Sequence, residues 1–176
     1  MIETPHLRLH EWHDRHLAAF QMMHGDPAVM ADLRGPIDST ESQEKFERYR
    51  HALQLHGVSR WAVESPEGEF LGYAGIMLQQ WREHPLGTHF DVSCRFVRKA
   101  WGYGYATESL KAALHHAVDE LRLRDIFFYR RASNVRSQRI EQKLKLIRDP
   151  SRDFVTGRSG DEQFHWLVSV VPTRSS

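Results

Sequence analysis

A single cysteine, Cys94, excludes an internal disulfide in this chain of 176 residues and makes a reducing cytoplasm the natural compartment. A dominant charge is also lacking. With 24 basic and 23 acidic residues the net charge is +1, so no global field favours nucleic acid or an anionic membrane. No apolar run reaches membrane-spanning length, and the opening Met-Ile-Glu-Thr-Pro-His has neither the basic nor the apolar part of an export signal. Repeats, low-complexity tracts and an interdomain linker are missing too. One soluble domain over residues 1–176 is therefore expected, large enough to bury a core without covalent staples. Histidines number twelve, yet no Cys-His cluster has zinc spacing. His6, His10, His13, His16 and His24 are expected on different faces and His115 and His116 in two directions on one helix, so no metal is expected.

The most informative segment runs from Arg95 to Glu108, a strand end followed by Trp101-Gly102-Tyr103-Gly104-Tyr105-Ala106-Thr107. Beyond it Leu110, Ala113, Leu114, Ala117, Val118 and Leu121 recur at spacings of three and four, marking a core-facing helix. Glycines let the backbone turn and approach a ligand, and the first-turn amides of a helix, with its positive dipole end behind them, suit a phosphate or pyrophosphate. No Gly-Lys-Ser/Thr follows, which excludes a Walker loop. A dinucleotide fingerprint would need a third glycine and an acidic residue further on. On the glycines alone, an ordinary tight strand-to-helix connection stays open.

Coarse periodicity fills in the rest. Leu7 and Leu9 alternate as a short strand, and Leu17, Phe20 and Met23 form a helix ending near Gly25 and Pro27. Ser39 or Thr40 is expected to cap a helix running to about Gly57. Strands are expected over Arg60 to Glu64 and Glu69 to Leu78, an irregular loop over Gln79 to Gly87, and a strand over His89 to Val97. Ile126-Phe127-Phe128-Tyr129 reads as a buried central strand, followed by a helix from Asn134 and two closing strands near Arg148 to Val155 and Glu162 to Val171. Trp12, Trp61, Trp81 and Trp166 are expected in core or groove wall.

Several motifs in order resemble the GNAT superfamily of N-acetyltransferases, in the form of its ribosomal-protein N-terminal acetyltransferase (Rim-type) branch. They are Trp101 to Glu108 as the acyl-coenzyme A pyrophosphate loop, Asn134-Val135-Arg136-Ser137 as the Asn-x-x-Ser helix start, Thr4 to Leu9 as the Thr-x-x-Leu-x-Leu entry strand, and Trp61-Ala62-Val63 with Leu71-Gly72-Tyr73-Ala74-Gly75 as the central hairpin. The resemblance implies an α/β fold with a mixed, mostly antiparallel central sheet, splayed at its middle, and helices on both faces. It implies transfer of an acetyl group from acetyl-CoA, as cosubstrate, to a primary amine by direct attack. That amine is a protein N-terminus or a small molecule. No nucleic-acid or membrane partner is expected, and a homodimer is left open. The alternative is a catalytically weak acyl-CoA-binding protein of the same fold.

Carried over residue by residue, the resemblance places the cofactor on the backbone of Phe96, Val97 and Arg98, on the loop Trp101, Gly102, Tyr103, Gly104, Tyr105, Ala106 and Thr107, and on Asn134 and Ser137. Asp91, where the branch carries Glu, is the expected base acting through water. Ser137 is the expected donor to the leaving thiolate, because Glu141 occupies the position of the superfamily's tyrosine. Arg136 and Arg139 are the first choices among the arginines for the cofactor's phosphates. Cys94 lacks a partner for nucleophilic catalysis. The family's helix ending Leu-Gly is here Leu144-Lys145, so Lys145 must either adopt a left-handed conformation or change the ending.

Overall fold

A computed structural model describes residues 1–33, 35–157 and 163–172. In chain order the strands are β1 Ile2–Glu3, β2 Arg8–His10, β3 Arg60–Glu64, β4 Phe70–Gln79, β5 His89–Phe96, β6 Ile126–Arg131, β7 Ile147–Arg148, β8 Phe154–Gly157 and β9 Gln163–Val170. The helices are α1 Leu17–Gly25, α2 Pro27–Met30, α3 Ser39–His56, α4 Tyr105–His115 and α5 Val135–Lys143. All strands join one sheet in the order β1-β2-β3-β4-β5-β6-β9-β7, with β8 also on β9. Only β5 and β6 run parallel, and they pair at just two points, Phe90 with Ile126 and Asp91 with Phe127. Beyond those points the two strands part, which is the splay.

Period-two alternation sends neighbouring side chains to opposite faces. On one face Val92, Ile126 and Phe128 pack with Leu110 and Ala113 of α4 and with Ile140 and Leu144 at α5. On the other, Ala62, Tyr73 and Met77 meet Phe20 and Met23 of α1 and Phe46 and Tyr49 of α3. Gly75 has φ +153°, and a Cβ there would lie 2.2 Å from the Ser59 carbonyl oxygen and 2.7 Å from the Trp61 ring, so glycine lets β3 and β4 close over that indole.

Local chemistry moved several boundaries. Asp38, one residue before the expected cap, accepts from the Glu41 amide at 2.8 Å and starts α3. The long helix begins at Tyr105 and relaxes into a π turn over His116–Glu120. The expected strand from Arg148 to Val155 is broken by the 3-10 turn Pro150–Arg152, where proline removes an amide donor. The last strand is described from Gln163, and Glu162 lies outside the described residues. Trp12 and Trp61 are buried as expected, whereas Trp81 is 63% exposed.

Two of the histidines expected to diverge do meet. His10 Nε2 lies 3.0 Å and His16 Nε2 2.8 Å from the buried Glu64 carboxylate, because β2 lies beside β3 and the short turn Asp14–His16 folds back over it. Arg15 Nη2 donates to the same group at 2.9 Å. Lys145 takes φ 53°; its amide donates to the Gln142 carbonyl at 3.1 Å and that of Leu146 to the Glu141 carbonyl at 3.2 Å, the Schellman ending that the family completes with glycine.

Candidate active site

The splay opens into a cleft of about 580 Å³, walled by β5, the loop before α4, the first turns of α5 and the α2 segment. Gly102 (φ +89°) and Gly104 (φ +84°) turn the loop so that α4 points its first amides into this space. The amides of Gly102, Tyr103, Gly104, Tyr105 and Ala106 find no acceptor among the described residues. The Thr107 amide differs from the other expected donors, since it reaches the Gly104 carbonyl at 3.0 Å. An added Cβ at Gly102 or Gly104 would meet nothing within 4 Å, so both glycines serve backbone conformation and access. Buried unpaired amides are costly; at Gly102, Gly104, Tyr105 and Ala106 that cost is avoided because the residues line an open cleft that water or an anion can fill.

The other wall is the edge of β5 beyond its short pairing with β6, where the Phe96 carbonyl accepts from Trp101 Nε1 at 2.9 Å. Phe90 turns its amide toward β6, donating to the Asp125 carbonyl at 3.0 Å, so alternation directs the amides of Val92, Cys94 and Phe96 toward the widening gap. Phe96 and Cys94 line the cleft. Val97 does not; its amide is held by the Leu71 carbonyl at 2.9 Å, and Arg98 begins the 3-10 turn that follows. Tyr103 also lies off the lining, 69% exposed and stacked on Tyr105. Burial pushes the Cys94 thiol up to about 12, a poor nucleophile.

Asn134 and Ser137 come together in the cleft. Asn134 Oδ1 accepts from the Ser137 amide at 3.0 Å, the cap that residue type suggests, and Nδ2 donates to Asp32 at 2.9 Å. Arg136 sits over the Trp101 indole at 4.0 Å, and Arg139 and Lys143 follow on the same side of α5, so three cations line the cleft beside the loop. Glu141 does not: it is buried in an ion pair with Arg130 Nε at 2.6 Å and accepts from Ser169.

Asp91 is separate from these residues. It is buried outside the cleft lining, its carboxylate held by Arg60 and by Gln79 Nε2 at 2.6 Å. Burial and then the adjacent Asp91 charge push the Tyr129 phenol above its ordinary value. Nearby, burial alone would raise the Tyr73 phenol, but Lys45, Arg95 and Arg60 outweigh it and hold the group below its usual range.

Sequence reasoning missed Asp32 and Arg95. Arg95 Nη1 donates to Asp32 Oδ1 at 3.1 Å and to the Val29 carbonyl, tying α2 to β5 across the mouth of the cleft. Alternation from Asp91 through Ser93 to Arg95 was the available signal for that face; nothing local marked Asp32.

A splayed sheet with an open strand edge and a helix aiming free amides into the gap makes a cleft suited to an extended ligand with an anionic end. The Acetyltransferase (GNAT) domain model matches residues 6–147, and the chain belongs to that family. It is 31% identical to the uncharacterized protein YkkB of Bacillus subtilis (strain 168) over 145 residues, covering 81% of this chain and 83% of that protein. Its fold is similar to an acetyltransferase from Agrobacterium tumefaciens str. C58, with TM-score 0.76, 21% identity and coverage of 96% and 91%. It is similar also to RimL, a ribosomal L7/L12 alpha-N-protein acetyltransferase solved with coenzyme A, with TM-score 0.71, 12% identity and 96% of both chains covered. Among the described residues no helix is long and apolar enough to cross a membrane.

Proposed function

We propose that the chain, as a single acetyltransferase domain, moves an acetyl group from acetyl-CoA to the nitrogen of a primary amine. A protein N-terminus, as in the Rim-type branch, or a small amine is the acceptor. The observation that carries this reading is the run of unengaged amides from Gly102 to Ala106, of which Gly102, Gly104, Tyr105 and Ala106 line the cleft. They fit a pyrophosphate, and Arg136, Arg139 and Lys143 fit the remaining phosphate charge. Bound acetyl-CoA supplies an activated thioester carbonyl open to direct attack by a neutral amine.

The chain's own groups then have separate tasks. The β5 edge at Cys94 and Phe96 holds the pantetheine arm by backbone pairing, and an amide on that edge polarises the carbonyl. Asn134 orients the start of α5, and Ser137, lining the cleft, hydrogen-bonds the departing sulfur. A thiol of ordinary pKa, about 8.5, leaves readily, so Ser137 contributes modestly. Asp91 accepts the amine's proton through water, because Arg60 and Gln79 already occupy its carboxylate.

The same engagement of Asp91, with Glu141 committed to Arg130, favours the second reading, a weakly catalytic acyl-CoA-binding protein. Acetyl-CoA should raise the melting temperature under either reading. Thiol release on adding a panel of amines is expected of the enzyme alone, and its absence across the panel would leave the binding protein.

A further inference from the structure

The two strands that diverge at the splay each carry an arginine near the far end, on the face turned away from α4 and α5. On β5 it is Arg95, which reaches α2 through Val29 and Asp32. On β6 it is Arg131, whose neighbour Arg130 points the other way to Glu141 of α5. Arg131 lies flat on the Phe164 ring, its guanidinium carbon 3.6 Å from the ring centre, so packing fixes the direction of the fork. Both arginines line the cleft, and among the described residues the buried Nε atom of each has no hydrogen-bond partner. A guanidinium held in place at a cleft wall offers its outer N-H groups to a planar acid group.

Their charges are unequally compensated. Asp32 answers Arg95 at 3.1 Å, whereas Arg131 meets no carboxylate among the described residues. The cations of α5 stand beside the pyrophosphate loop, whereas Arg131 shares the opposite face of β6 with Phe127 and Tyr129. With the coenzyme arm filling the gap between the strands, that is the side from which an acceptor amine must approach.

We infer that the acceptor is a small amine carrying its own carboxylate, of the amino-acid class, whose acid group is taken by the Arg131 guanidinium in the cleft that Arg95 also lines. This deepens the transferase reading and rests on it. The transferred acetyl goes to the amine nitrogen; the carboxylate only binds. A protein N-terminus has no free carboxylate next to its amine and does not satisfy Arg131.

The test compares α-amino acids with their carboxamides as acceptors, reading thiol release at saturating acetyl-CoA. Removing the carboxylate lowers the amine's pKa and leaves more of it unprotonated, so a preference for the acid reports recognition rather than reactivity. The acids should exceed the carboxamides by roughly tenfold or more in kcat/KM, the scale of a charge-assisted hydrogen bond. Arg131→Gln should erase that preference by slowing the acids alone, with the KM for acetyl-CoA unchanged as the sign of an intact fold. Arg131→Lys, which keeps charge but not the fork, should restore part of it. Equal use of acid and carboxamide, preference for peptide N-termini, or equal slowing of both by Arg131→Gln would overturn the inference. Melting temperature decides where turnover is absent: with coenzyme A present, stabilisation by acids and not carboxamides supports the receptor, and equal or no stabilisation overturns it. If acetyl-CoA itself gives no shift, the transferase reading falls, and the acid-against-carboxamide shift without coenzyme decides the receptor alone.

Discussion

The two sides of the splay are made of different material. On the α4 side the ligand-facing groups are main-chain amides, from Gly102 to Ala106, presented by two left-handed glycines and a helix end. On the α1–α3 side they are side chains, Arg95 paired with Asp32 at the cleft, backed by a second hydrogen-bonded group of Arg60, Asp91 and Gln79 that lies outside its lining. A backbone grip needs only a turn and a helix start, so it tolerates changes in side chains. A side-chain network binds more selectively, and each member holds the charge of another in place.

The largest effect that would sharpen this contrast is on the side-chain wall. Asp91→Asn leaves the buried Arg60 charge uncompensated and should destabilise the protein by about 3–5 kcal/mol in denaturant unfolding. Acetyl-CoA should still raise the variant's melting temperature, since the amide row is untouched. Loss of that shift would show that the two walls are not separable.

Acid should act on the same wall next. His24 is fully buried with Nε2 unpartnered among the described residues, and burial first, then Lys45, push its pKa from 6.5 to about 3. Its unfolded form takes up a proton below about pH 6.5, so stability is complete above that value and falls toward about pH 3, by up to roughly 1.4 kcal/mol per pH unit. His10 and His16, lowered by burial, add in the same direction. For Glu64, burial alone would raise the group, but hydrogen bonds from His16 and Arg15 outweigh it; held below 4.5, it adds stability that is lost only as pH drops through its folded value. Unfolding curves at pH 7 and pH 5 check the slope, which His24→Leu should flatten.

The backbone wall should respond more gently. Gly104→Val forces a β-branched residue into φ +84°, at about 1–2 kcal/mol, and should weaken acetyl-CoA binding by calorimetry while leaving the acid response alone. The smallest effect is a gain: Lys145→Gly relieves φ 53° at the end of α5 and should stabilise by about 1 kcal/mol in the same unfolding assay.

Element order and the amide-lined wall of the cleft were legible because both follow from local pattern. Apolar spacing placed α4, the β-rich run placed β6, and the glycine pair with Asn134 located the cleft's two helix starts. Boundaries slipped where one side chain outcompeted another, as Asp38 did Ser39 and as Pro150 did the closing strand. The acceptor wall was not legible in the same way. Asp91 was singled out as a residue type, but its pairing with Arg60 depends on β3 and β5 lying on either side of β4 with Arg60 opposite Gly75 and Ser93 beyond it. Asp32 became visible only when α2 was brought over the ends of β5 and α5, a contact between residues 102 positions apart in the case of Asn134.

The two-rung seam between β5 and β6 has a consequence for how the chain folds. The ribbon from β1 to β5 is an antiparallel meander whose neighbours are mostly close in sequence, while the piece from β6 to β9 closes separately around its own hairpin. Little main-chain pairing welds the pieces, so their union depends on α4 and α5 packing across the join. The cleft is thus held in shape by helix packing more than by strand pairing, and whatever fills the gap from outside should act as mortar between the two pieces.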